Sequence, residues 1–195
     1  MKTRNAGFTL MELMITLALA AVVLSIGAPS FGEFRRNNRL TSVGNEFLGA
    51  VQTARTEAIK RQVPVAVCPS GNPTDAAATC TAGAFSGWIV FVDTDNDCDR
   101  DAAEDVVRVG ATIDASLTAA STGNCASFGA NGFRQDIAGK TTAGNTLFCD
   151  DRGTAAQAGT NLSAARGIEV GPTGRSRVTR ALDEVTDGTS WPACS

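Results

Sequence analysis

Arg175 and Arg177 stand two residues apart behind the sequence Gly171-Pro172-Thr173-Gly174. Proline at the second position and glycine at the fourth suit a tight turn. On a strand leaving that turn, side-chain alternation puts both arginines on one face, about 7 Å apart. Two guanidiniums so spaced match successive phosphates of a nucleic-acid backbone, a contact blind to base sequence and weakened by salt. Gly174 would let that backbone approach closely. Arg166 and Arg180, set against Glu169, make this the most basic part of the C-terminal half. The same residues also suit a solvated strand whose arginines serve solubility or touch a neighbouring subunit. Asp183, Glu184 and Asp187, close behind, weigh toward that plainer reading.

A second group is acidic. Asp93, Asp95, Asp97 and Asp99, with Glu104, occupy alternate positions of residues 93–104 in the manner of a calcium loop. Cys98 stands where such a loop needs glycine, and no helices flank the segment. A solvated loop between two strands is the competing reading, with no metal required.

The chain has no histidine and no tyrosine. That removes Ser–His–Asp and Cys–His catalysis, histidine metal sites and tyrosine acid/base chemistry together. Six cysteines, Cys68, Cys80, Cys98, Cys125, Cys149 and Cys194, make no C-x-x-C pair, which disfavours zinc ribbons and thioredoxin-like chemistry. An even, dispersed set reads as disulfides formed in an oxidising compartment. Spacing alone leaves every pairing open; Cys68–Cys80 closing a short loop and Cys149–Cys194 tying the tail are the expected ones, with Cys98–Cys125 left over. A net charge of −3 gives no general case for nucleic-acid binding, so any such case rests on a local patch.

Glu12 is the remaining anomaly. It lies inside residues 8–28, an almost wholly apolar run behind a short leader with Lys2 and Arg4. A helix of that length spans about 31 Å, the thickness of a bilayer core. A carboxylate there costs about 2.5–3.5 kcal/mol on insertion scales, so it calls for a partner. A cut after Gly7 would leave a charged amine on Phe8, about one helical turn away. Glu12 could neutralise that amine in its own chain or a neighbour's; snorkelling to the headgroups is the alternative. Because the cut precedes the apolar run, the run is retained, unlike a secretory signal.

The elements that must position these groups follow from periodicity. Residues 29–62 continue as an amphipathic helix, with Leu40, Val43, Phe47, Val51, Ala54 and Ala58 on one stripe. Pro64 ends it. Beyond lie short strand-like runs: 63–67, 88–92 paired as a hairpin with 105–109, then 113–117, 128–134, 146–149, 167–170 and 175–179. Residues 118–124 and 138–145 read as loops. Trp88 is expected in the core and Trp191 as an anchor for the tail. The division is thus 1–7 leader, 8–28 membrane helix, 29–62 amphipathic half and 63–195 β-rich domain. The class is α+β, one long helix packed on antiparallel sheet.

Gly7-Phe8-Thr9-Leu10-x-Glu12 after a basic leader resembles the prepilin-peptidase site of type IV pilins and type II secretion pseudopilins. The resemblance implies cleavage between Gly7 and Phe8, methylation of the new amine, and a register role for Glu12 against a neighbour's Phe8. Pro29 sits where many pilins carry a helix-kinking proline. A strand running into a cysteine (VAVCPS), then GWIVFVDTD, FGANG, LFCDDRG and GRSRV, is similar to the GspH/FimT family. Its Gly-Arg-x-Arg motif resembles the DNA-binding motif of FimT-type minor pilins active in natural transformation. The resemblance implies a non-enzymatic pilus subunit at or near the tip, without cofactor, whose partners are other pilins, prepilin peptidase, the inner membrane and double-stranded DNA. Its β-rich domain would be periplasmic before assembly and extracellular in the pilus. A structural pseudopilin that primes a secretion pseudopilus is the alternative.

Overall fold

The structure is a computed structural model that describes residues 7–194 except 111, 141 and 143, and leaves the side chains of 26–30 undescribed. The readings of Lys2 and Arg4, of the Pro29 side chain and of the end of the apolar run therefore fall outside the described residues.

Helix α1 spans Leu10–Arg61. Its start is locally encoded: the Thr9 hydroxyl accepts the Glu12 amide N–H at 3.2 Å, and the Thr9 carbonyl accepts that of Leu13 at 3.1 Å. Thr9 is thus the N-cap of a Thr-x-x-Glu start. At the other end Gln62 turns to φ 57 while its N–H still reaches Ala58. Lys60 and Arg61 pair with Glu57 in the last turn, where cations suit the helix dipole. Arg61 also reaches Asp105 at 3.0 Å.

The chain divides into a unit ending at Asn38 and a compact unit Arg39–Ser195. In the first, Leu10, Met11, Leu13, Ile15, Leu17 and Val22 are all exposed. Among the described residues no helix is long and apolar enough to cross a membrane, and the described side chains of the apolar run stop at Ser25.

In the second unit the rest of α1 meets two antiparallel sheets. The strands are β1 (Val65–Ser70), β2 (Gly83–Ala84), β3 (Gly87–Val92), β4 (Val106–Val109), β5 (Thr118–Ser121), β6 (Ala126–Phe128), β7 (Arg134–Gln135), β8 (Asn145–Cys149), β9 (Leu162–Val170) and β10 (Ser176–Ala181), followed by the short helix α2 (Leu182–Val185). One sheet runs β4-β3-β1-β6-β7 and the other β10-β9-β8-β5-β2.

Both sheets bury two faces. β1 and β3 are buried along their whole length, which explains their continuous apolar character in place of alternation. Trp88, Val90 and Val92 face the helix stripe of Leu40, Phe47, Val51, Ala54 and Ala58. Ile89 and Phe91 face the other way, onto Ala66, Cys68, Cys98 and Cys125. In the second sheet Phe148, Ile168 and Val170 face the helix, whereas Leu147, Cys149 and Ala165 lie under Val185 and Trp191. The outer covers are therefore loops and tail. Disulfides hold them: Cys68–Cys80, Cys98–Cys125 and Cys149–Cys194, with Cα atoms 5.4, 5.8 and 5.9 Å apart. Closing the longest of these loops contributes about 4 kcal/mol in the chain-entropy model.

Three strand expectations change. Residues 113–117 form no strand, and the pairing falls on β5, within the segment read as a loop. β5 is Thr-Ala-Ala-Ser, with no run of β-branched or aromatic residues; it pairs with β8 and β2 because its last three residues are buried. Residues 128–134 are not one strand: Phe128 ends β6, Arg134 begins β7, and the residues between them form the hairpin turn, where the Gly129 N–H reaches the Phe133 carbonyl at 3.1 Å and Gly132 takes φ +74. The β3–β4 hairpin forms as expected.

The helix and both sheets meet at Phe47. Its ring stands edge-on to Trp88 at 5.3 Å and to Phe148 at 5.6 Å, with Phe85 at 6.5 Å. Phe47→Ala is expected to cost about 3–5 kcal/mol, measured by urea denaturation of the soluble chain from Arg35 onward; a loss below 1 kcal/mol would contradict this assignment.

Candidate functional site

The turn expected at 171–174 is present: the Gly174 N–H reaches the Gly171 carbonyl at 2.9 Å, and the Gly171 N–H reaches the Arg175 carbonyl at 2.8 Å. Gly174 has φ +73, and a Cβ there would collide with the Gly132 carbonyl. What this glycine admits is the β6–β7 turn of its own chain. Arg55, from α1, donates Nε–H to that same carbonyl at 2.9 Å. Neither Arg55 nor Gly132 was singled out by sequence, because Arg55 reads as one more polar-face residue and the glycine as one of many.

The four arginines are not one patch. Arg175 precedes β10 and is exposed, and its side chain has no hydrogen bond or ion pair among the described residues. Arg177 lies directly across from Glu169 in the β9–β10 ladder, on the sheet's outer face. It pairs with Glu169 at 2.6 Å and Glu184 at 3.1 Å, and Thr179 adds its hydroxyl to Glu184 at 2.7 Å. The Glu184 and Glu169 contacts hold the Arg177 guanidinium above its ordinary pKa. Arg166 lies on the opposite, helix-facing side, buried, with Arg180 beside it in a shared cavity. Strand alternation explains the split: 166, 168 and 170 face the helix, and 177 and 169 face away.

The acidic loop is also sorted by its backbone. Asp93 is fully buried and accepts the N–H groups of Asp97 (3.0 Å) and Cys98 (3.3 Å). Buried Glu104 accepts those of Thr94 (2.7 Å) and Asp101 (3.0 Å). Cys98 takes φ +66, the left-handed conformation that glycine would supply. Carboxylate oxygens of Asp93, Asp95 and Glu104 lie within 4.8 Å of one another, while Asp97 caps the Asp99 N–H and Asp99 pairs with Lys140. The loop is anchored from inside by Asp93 and Glu104, not freely solvated as its composition suggests.

Burial pushes the Asp93 carboxyl up to about 6, against the pull of its two backbone donors and with help from the charges of Glu104 and Asp97. A pKa raised on folding means the native state holds the extra proton between the unfolded value and about 6. This group therefore adds stability as pH falls from 7 toward 5, and that gain is lost as pH rises through 6. The thermal midpoint of wild type should rise over that interval, and Asp93→Asn should flatten the rise. A profile identical in the variant would exclude this origin.

At the N-terminus Gly7 and Phe8 are exposed, with open space around Gly7. Glu12 is exposed at the first turn of α1, its amide N–H capped by Thr9.

A long helix whose second half packs on antiparallel sheet, behind a cleavable-looking apolar start, defines a type IV pilin-like subunit. A family model described as type II transport protein GspH matches residues 43–174, and one for the prokaryotic N-terminal methylation motif matches residues 2–28. The chain belongs to the GspH/FimT family of pilin-like proteins. Among solved structures it is similar to the type IV minor pilin FimU of Pseudomonas aeruginosa PAO1. The two are 18% identical, with TM-score 0.50 over 76% of this chain and 93% of FimU. A second crystal form of FimU aligns at TM-score 0.42 and 15% identity, over 73% and 94%. At that identity the likeness speaks to the fold alone. No protein of curated function matches.

Proposed function

We propose that this chain is a minor pilin of a type IV pilus, built in at or near the tip, that contacts double-stranded DNA through Arg175. One observation carries the DNA reading: Arg175 is an exposed cation beside a hydrogen-bonded turn, and its side chain has no partner among the described residues. Such a group gains from a phosphate without giving up an existing ion pair. Arg177 does not share that freedom, because Glu169 and Glu184 already hold it. Arg166, being buried, is out of reach of a duplex. Anchoring to the membrane and entry into the filament rest on the N-terminal segment, with cleavage between Gly7 and Phe8 and Glu12 as the register charge.

The pairing of Arg177 also favours a second reading, a structural pseudopilin in which the β9–β10 face is simply a closed surface. Retardation of duplex DNA by the soluble chain separates the two. Wild type should bind more weakly as salt is raised, and Arg175→Ala should weaken binding and lower the log–log salt slope by about one. Glu169→Gln with Glu184→Gln should free Arg177 and tighten binding by up to about tenfold. Equal binding by wild type and Arg175→Ala, or none by either, would leave the pseudopilin reading.

For the N-terminus, the mature chain should begin at Phe8 with a methylated amine, read by mass spectrometry of membrane-extracted protein. Glu12→Ala should be processed normally yet be missing from sheared filaments. An unprocessed N-terminus, or normal incorporation of the variant, would count against these roles.

A further inference from the structure

Between α1 and the second sheet lies a cavity of about 280 Å³, lined by Thr41, Gly44, Asn45, Arg166, Val178 and Arg180. Its position follows from strand period. β9 carries Arg166 on the same face as Ile168 and Val170, which pack in the main core. At 166 the core-facing position is a guanidinium, and across from it α1 offers Gly44, which has no side chain to fill the gap. Val178, opposite Ile168 on β10, and Arg180 close the side.

The charge in this notch is uncompensated. Arg166 is 5% exposed, and its Nη1 donates to the carbonyls of Ala164 (2.8 Å) and Ala165 (3.2 Å), its Nη2 to the Thr41 hydroxyl (3.4 Å). All three acceptors are neutral. Arg180 donates Nη2–H to the Ser163 carbonyl at 3.3 Å, and its buried Nε–H has no acceptor. Among the described residues neither arginine has an ion pair, and no lining residue is acidic. Asp150, the carboxylate that Arg166 feels, is held by Arg152 at 2.6 Å. Burial, then repulsion from Arg180 and Arg152, lowers the Arg166 pKa to about 10. Placing a buried guanidinium beside a half-buried one is costly unless an anion joins them.

We propose that this notch binds a single oxyanion, a carboxylate or phosphate group bridging Arg166 and Arg180, with Asn45 as a further donor. Guanidinium pairs with such groups through short, charge-assisted bonds that satisfy unpaired N–H donors. The cavity has room for several water volumes of about 30 Å³ each, enough for the group and part of its stem. The source is either free inorganic phosphate or the side-chain carboxylate of an adjacent subunit. This inference is separate from DNA contact at Arg175, which does not line the cavity.

The test uses the chain from Arg35 onward, since every core cluster lies at or beyond Leu40 and all three disulfides lie in the compact unit. Its thermal midpoint is followed against inorganic phosphate and against acetate, with chloride holding ionic strength constant. Wild type should show a saturable rise. Arg180→Gln, with its fold checked by circular dichroism, should weaken the apparent affinity by at least about tenfold, the worth of a charged hydrogen bond. Lys60→Gln, an exposed cation outside the cavity, should leave it unchanged. A tighter response to acetate than to phosphate favours a side-chain carboxylate as the occupant; a response to phosphate alone assigns the notch to the free ion. Absence of saturation in wild type, or an equal response in Arg180→Gln, overturns the proposal.

Discussion

The compact unit depends on one ring. Phe47 projects from α1 into the space where both sheets approach, touching Trp88 of one and Phe148 of the other, with Phe85 completing the group. The edge-to-face arrangements match the charge distribution of aromatic rings, so this contact has direction as well as area. The register of α1 on both sheets is set there. Everything placed relative to α1, including the Arg55–Gly132 contact and the Arg166 notch, follows from that register.

A second constraint comes from having two sheets and one long helix. A helix covers one face of each sheet, and the other face must be covered by something else. Here irregular loops and the C-terminal tail do it, and such segments lose much conformational entropy on ordering. The disulfides sit where that cost falls. Cys68, Cys98 and Cys125 are themselves buried members of the outer cluster on the first sheet, and Cys149 and Cys194 pack with Trp191 on the second. The cysteines act as core residues and staples at once.

Charge is organised by the same pleat. Arg166 and Arg177 lie on adjacent strands but on opposite faces, so one is drawn toward the helix and the other into a ladder of carboxylates. Arg175, outside the strand, belongs to neither group. A segment rich in arginine therefore carries three arrangements: an exposed cation, a neutralised one, and a buried guanidinium beside a half-buried one. These three arrangements are what distinguish the surface and interior of the β-rich unit.

Sequence determined the long helix, because its apolar stripe persists at helical spacing for many turns and stops at a proline. It determined β3 and its hairpin with β4, where the run GWIVFV admits little else; the three disulfide pairs are the expected ones, although spacing alone left every pairing open. Thr9 as a cap was legible in Thr-x-x-Glu, though overshadowed by Glu12. β5 was not legible, since alanine and serine carry no strand pattern and pair only because neighbouring strands bury them. Nor was the fate of Gly174, whose close neighbour Gly132 is distant along the chain yet adjacent in space. Tertiary structure alone decided which arginine faces which partner, because face and burial depend on strand pairing and on what the helix leaves unfilled. Residue type supplied the charges; packing decided which of them remain free to bind.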